Sequence, residues 1–137
     1  MKYMLRLSSF VCLALFVLPL AAADNTNDLA RVGIVRFINN TNSEDFEWVE
    51  KSLPDAIDMS MKSRFEYVRL EENKVQAAAS QVTPAKVATG GGGTRYSKED
   101  AAKISQLSQA DILIYGNFVA DRENEELVLH AVIFNAA

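Results

Sequence analysis

Four consecutive glycines stand beside a threonine, an arginine and a helix-opening serine in the stretch KVATGGGGTRYSKED, Lys86 to Asp100. The backbone N–H groups of such a loop can cradle phosphate oxygens when a strand leads into it and a lysine followed by Ser or Thr closes it. Here Gly93 is followed by Thr94, Arg95 and Tyr96, and the approach QVTPAKVAT is a poor strand. Residues 84–96 therefore read as a solvated, glycine-rich loop.

The other chemistry-bearing residues are sparse. His130 is the sole histidine and sits in an apolar run, with no second histidine or cysteine to complete a metal site. It reads as a satisfied or surface histidine. The acidic run Asp121 to Glu126 lacks the alternating ligands and central glycine of a calcium loop, and reads as a solvated turn. Asn39 opens an Asn-Asn-Thr sequon, a short match that by itself assigns no site. Phe46 and Trp48 could anchor a partner, but their nearness to Val49 and Leu53 assigns them to a helix core. No catalytic, cofactor-binding or metal residue is expected, and no cofactor.

The elements that would carry these residues follow from periodicity. RVGIVRFIN, Arg31 to Asn39, is a strand with Val32 and Ile34 on one face and Gly33, Val35 and Phe37 on the other. NNTNS supplies turn and cap chemistry before a helix whose inner face is Phe46, Val49, Leu53, Ile57 and Met61. Pro54 either kinks that helix or divides it in two, with Ser52 capping the second piece. RFEYVRLEE is a second strand, and NKVQAAASQ a short helix. Ser97 and Asp100 form a capping box for a third helix ending near Gln109, its inner face Ala101, Ile104 and either Leu107 or Ser108. DILIYGNFV and LVLHAVIF, joined by ADRENEE, make a hairpin. The fold class is α/β: a small mixed sheet with helices, βαβ-type crossovers and a C-terminal antiparallel hairpin.

Lys2 and Arg6 precede the apolar run LSSFVCLALFVLPL, and small residues at Ala21 and Ala23 follow it. This is the order of a secretory signal peptide over residues 1–23, with cleavage between Ala23 and Asp24. Cleavage removes Cys12, the sole cysteine, so stability of the single domain at 24–137 must come from packing alone. Cys12 follows Phe10 and Val11, unlike a lipidated cysteine. The formal net charge of −4 argues against a nucleic-acid surface.

Beside this reading, VGIVRFINNTNSEDFEWVEKSLPDAIDMSMKSRFEYVRLEE and DAAKISQLSQADILIYGNFVADRENEELVLHAVIFNA resemble the TolB amino-terminal-like domains of bacterial envelope proteins. That broad group includes the curli secretion lipoprotein, a penicillin-binding-protein activator lipoprotein and the flagellar FlgO-like proteins. The matching features are Phe37, Asn39 and Thr41, then Trp48 and Leu53 to Asp55, then FEYV, and the strand glycine Gly116. The resemblance spans nearly all of residues 24–137 except the glycine loop. It implies a non-catalytic protein-binding or assembly role in the periplasm, with outer-membrane association, and no site residue. Such domains continue into a further strand after residues like Asn135 to Ala137, so a C-terminally truncated copy is expected.

That expectation leaves the last strand at a sheet edge, apolar on both faces: Leu127, Leu129 and Ile133 against Val128, Val132 and Phe134. Envelope proteins, or a second copy of the chain, would add there. The rival readings are a small-molecule-sensing domain, and a nucleotide-binding or hydrolase domain that uses the glycine loop.

Overall fold

The computed structural model describes residues 29–41, 43–87, 93–121 and 123–136. The expected signal peptide over residues 1–23, its expected cleavage point between Ala23 and Asp24, and the glycines 90–92 lie outside the described residues. Strand β1 (Arg31–Ile34) and strand β2 (Ile38–Asn39) lead to a single 3-10 turn (Glu44–Phe46) and helix α1 (Glu47–Lys62). Strand β3 (Val68–Arg69), helix α2 (Glu72–Ala79), strands β4 (Ala85–Val87) and β5 (Gly93–Arg95), and helix α3 (Lys98–Ser108) follow. Strands β6 (Ile112–Asp121) and β7 (Glu126–Asn135) close the order.

β6 organises the sheet. Along one side it pairs antiparallel with β7 over its whole length, from Ile112 opposite Asn135 to Asp121 opposite Glu126. Along the other side it pairs parallel with β1, Val32 against Ile112 and Ile34 against Ile114, and then with β2, Ile38 against Asn117. β3 pairs parallel with the outer side of β1. α1 covers one face, over Val32, Ile34, Phe37, Ile114 and Phe118. α2 and α3 cover the other, over Val35, Leu113 and Tyr115. The mixed α/β fold is the one the sequence pattern implies.

Four elements differ from their sequence expectation. The first strand is broken: the chain takes four steps from Ile34 to Ile38 while β6 takes three from Ile114 to Asn117. This bulge reverses the alternation, so Phe37 joins Val32 and Ile34 under α1 instead of sharing the face of Val35. Gly116 is the counterpart of the bulge: a Cβ there would stand 2.7 Å from the Phe37 ring and collide with the His130 carbonyl.

The second difference lies in α1, which runs continuously through Pro54. Proline withholds one amide, but the apolar face on both sides of it, Phe46, Val49, Leu53, Ile57 and Met61, is held against the sheet. Ser43, within the expected NNTNS cap, caps the 3-10 turn that leads into α1, its hydroxyl accepting from the Asp45 N–H, and no second helix starts at Ser52. Trp48 lies off this stripe and is 65% exposed, contrary to its assignment to the core. One turn further on, Ser52 and then Asp55 continue its face, and both are exposed.

The third difference is the loop at 84–96. It holds an antiparallel ribbon, with Ala85 opposite Arg95 and Lys86 opposite Thr94. Asn40 docks the ribbon through two bonds, donating from Nδ2 to the Thr94 carbonyl (3.1 Å) and accepting at Oδ1 from the Thr94 N–H (3.0 Å). Gly93 makes room for this: at φ 144° it adopts backbone that other residues rarely reach, and a Cβ would lie 2.6 Å from Asn40. The strand expected over RFEYVRLEE shortens to the two residues of β3, and Phe65 is exposed. α3 begins with the expected capping box, Ser97 Oγ accepting from the Asp100 N–H and the Asp100 carboxylate accepting from the Ser97 N–H.

Candidate functional site

Two polar clusters and one open strand are the places where chemistry or recognition could be built. The first cluster is Asp58, 4% exposed on α1. It accepts from the Tyr67 hydroxyl at 2.7 Å and from Arg69 at 3.1 Å, and pairs with Lys62 at 2.9 Å. Burial is the largest influence on its carboxyl and pushes its pKa up, but the bonds from Lys62 and Tyr67 and the charge of Arg69 outweigh it, so the net direction is down. Burial and the bond to Asp58 push the Tyr67 phenol up to about 12. Arg69 also reaches Asp55 at 2.8 Å. Tyr67 and Arg69 join α1 to the β3 segment, Lys62 adds a pair within the helix, and no buried side-chain polar atom among the described residues lacks a partner; the cluster is a clamp between helix and sheet.

The second cluster surrounds the glycine run. The Thr94 N–H, an amide that a phosphate cradle would use, is already given to Asn40. At the start of α3 the Asp100 N–H is likewise committed, to the Ser97 hydroxyl. Around β2, the Phe37, Asn39 and Thr41 motif is absorbed into the fold. Asn39 accepts from the Thr41 N–H (2.9 Å) and donates to the Ser43 carbonyl (3.0 Å), and the Thr41 hydroxyl accepts from the Ala120 N–H (2.8 Å). His130 is exposed on β7, and among the described residues no group of three His, Cys, Asp or Glu could hold a metal ion.

The open strand is β7. Its sequence, ELVLHAVIFN, is β-branched and apolar enough to form a strand without help from a neighbour on its outer side. Pairing with β6 puts Leu127, Leu129, Ala131 and Ile133 on the face of Phe118 and Ile114, the α1 face. α1 does not cover them: Leu129 is 42% and Ile133 70% exposed. On the opposite face only Val132 and Phe134 are partly buried, packed with the core under α2 and α3. The His130 carbonyl lies where a Cβ on Gly116 would stand, so the backbone of His130 points into the β6 ladder. Alternation along an antiparallel ladder then turns the N–H and C=O of Leu129 and Ala131 outward. From Leu127 to Asn135 the strand carries no Lys, Arg, Asp, Glu or Pro, the residues that ordinarily blunt an edge. Leu127, Leu129 and Ile133 share one face of the ladder, whereas Trp48, which the sequence assigned to the core, is exposed.

No family profile matches the chain, and no curated protein matches it in sequence. Among solved structures it is similar to the LpoB C-terminal domain from Salmonella enterica, in its selenomethionine form. That likeness has 11% identity, a TM-score of 0.39, and covers 77% of this chain and 82% of the other. It is also similar to the LpoB C-terminal domain from Escherichia coli at 12% identity and a TM-score of 0.38, with the same coverage.

Proposed function

We propose that the chain is a non-catalytic protein-binding domain of the bacterial cell envelope that takes an extended segment of an envelope partner as a further strand along β7. The observation that carries this reading is the edge itself: a strand that pairs with β6 on one side only among the described residues, apolar on both faces and, from Leu127 to Phe134, free of blunting charges. Strand addition uses main-chain bonds for affinity and alternate side-chain contacts for selectivity, and β7 offers both. The signal-peptide pattern before Asp24 and the resemblance to TolB amino-terminal-like domains support a periplasmic setting with outer-membrane association. A second copy of the chain is a competing occupant of the same edge.

The test compares the full chain, exported through its own N-terminus, with Leu129→Pro. Proline removes an outward N–H and leaves the β6 ladder intact. The exported wild type is expected to have the mass of a chain beginning at Asp24, to retain an envelope partner after mild cross-linking, and to self-associate at high concentration. The variant, with an unchanged circular dichroism spectrum, is expected to lose both interactions. A folded Leu129→Pro variant that captures the same partner as well as wild type would overturn the edge reading.

A further inference from the structure

Beside the start of β7 a cleft of about 500 Å³ opens between the first turn of α1 and the β6–β7 turn. Its apolar walls include Phe46 and Trp48 from the helix side, and Leu127 from the strand. Its rim is acidic, with Asp121, Glu125 and Glu126 among the residues that line it. Asp121 is committed to the turn: its carboxylate accepts from the Glu123 N–H (2.9 Å) and from the Asn124 side chain (2.8 Å). Among the described residues no donor binds the carboxylates of Glu125 or Glu126, both exposed at the mouth. Glu125 moreover occupies left-handed backbone at φ 54°, where glycine would be unstrained.

A helix of opposite design would place Trp48 inward. Here the sole tryptophan of the chain is presented to solvent beside an apolar floor and beside carboxylates that have no cationic partner among the described residues. That combination is complementary to one kind of side-chain pair. A large aliphatic group can fill the floor against Phe46 and Leu127, while a neighbouring guanidinium or ammonium reaches the rim and the face of the indole. An anionic segment would meet like charge at the same place, which disfavours it. Leu127 belongs both to the cleft and to the exposed stripe of β7, so a strand added along the edge runs into the cleft at that end.

We propose that this cleft selects the incoming strand by a basic residue adjacent to a large aliphatic one, held between Trp48 and the carboxylates of Glu125 and Glu126. The inference rests on the strand-addition reading for its position and on the cleft for its chemistry. Because Trp48 is the sole tryptophan, its emission reports occupancy directly.

The probes are a twelve-residue peptide of alternating Val and Thr that begins Arg-Leu, a twin that begins Glu-Leu, and the blocked dipeptide N-acetyl-Arg-Leu-amide, too short to add as a strand. The Arg-Leu peptide is expected to shift Trp48 emission and to bind about tenfold tighter than its twin at low salt, the difference shrinking as salt rises. Glu125→Gly, which relieves the turn while removing one carboxylate, is expected to narrow that difference about fivefold without lowering the melting temperature. Equal affinity of the twins, with Trp48 emission unmoved, would overturn the cleft proposal and leave strand addition standing. A shift of emission by the dipeptide with no tighter binding of the long peptide would support the cleft and overturn strand addition. No response to any of the three probes would overturn both.

Discussion

β1 and β7 flank the same strand, and both are apolar, yet they meet opposite fates. Val32 and Ile34 of β1 are almost wholly buried, while on β7 Ile133 stands largely in solvent and Leu129 is about half open. Composition does not separate them, since RVGI and ELVLHAVIFN would each serve as an interior strand. Rank in the sheet does. β1 has β3 on its outer side and helices on both faces, whereas β7 has no strand beyond it among the described residues and lies past the reach of α1. An apolar strand at the rim is the arrangement soluble proteins ordinarily avoid, and this is why the rim, and not the polar clusters, is read as the working surface.

The comparison is sharpest at one cross-strand pair. Phe118 and Leu129 face each other on the same side of the sheet, the first fully buried and the second half open. Phe118→Ala is expected to cost about 3–5 kcal/mol, and Leu129→Ala below about 1 kcal/mol, both measured as shifts in urea midpoint at constant slope. Equal losses would mean that β7 is packed after all and is no free edge.

A smaller effect tests whether the Asp58 clamp is structural, in contrast to the acidic rim of the cleft. Asp58→Ala is expected to cost about 2 kcal/mol, reduced from the range for buried pairs because Lys62 and Arg69 retain access to water. The pH dependence follows from the sign of the shifts. The Asp58 carboxyl is held below its ordinary value, and the bonds from Arg31 hold that of Asp111 at about 2. Depressed carboxylates stabilise the fold above their unfolded pKa and lose that contribution as pH falls through the folded value. Stability should therefore be level from neutral pH down to about 4 and fall towards pH 2, with Asp58→Ala flattening part of the decline in an acid titration of the urea midpoint.

The smallest expected change in stability comes from Ile133→Lys, within about 0.5 kcal/mol because the side chain is already exposed. It should nevertheless reduce self-association, seen by sedimentation, because a lysine on an edge blunts pairing. A large loss of stability with unaltered self-association would contradict the division between the interior strand and the rim.

Much of this arrangement was legible in short windows of sequence. The stripe Phe46, Val49, Leu53, Ile57 and Met61 located the inner face of α1, and Ser97 with Asp100 located the start of α3. Two apolar runs around a polar turn located the β6–β7 hairpin, and their alternation put Leu127, Leu129 and Ile133 on one face. Trp48 was misplaced because its neighbour Val49 drew it into the stripe, although Ser52 and Asp55 mark its face as polar.

By itself, then, the sequence determined what depends on residues within a turn or a pleat of one another: helix faces, caps and the alternation along the hairpin strands. Tertiary structure alone decided the bulge that carries Phe37 under α1, the docking of the β4–β5 ribbon on Asn40, and the exposure of β7. The physical reason is that these depend on which strand comes to lie beside which. β6 must accept β1, β2 and β7 together before register, bulge and rim exist, and residues so far apart in the chain leave no periodic trace of that meeting.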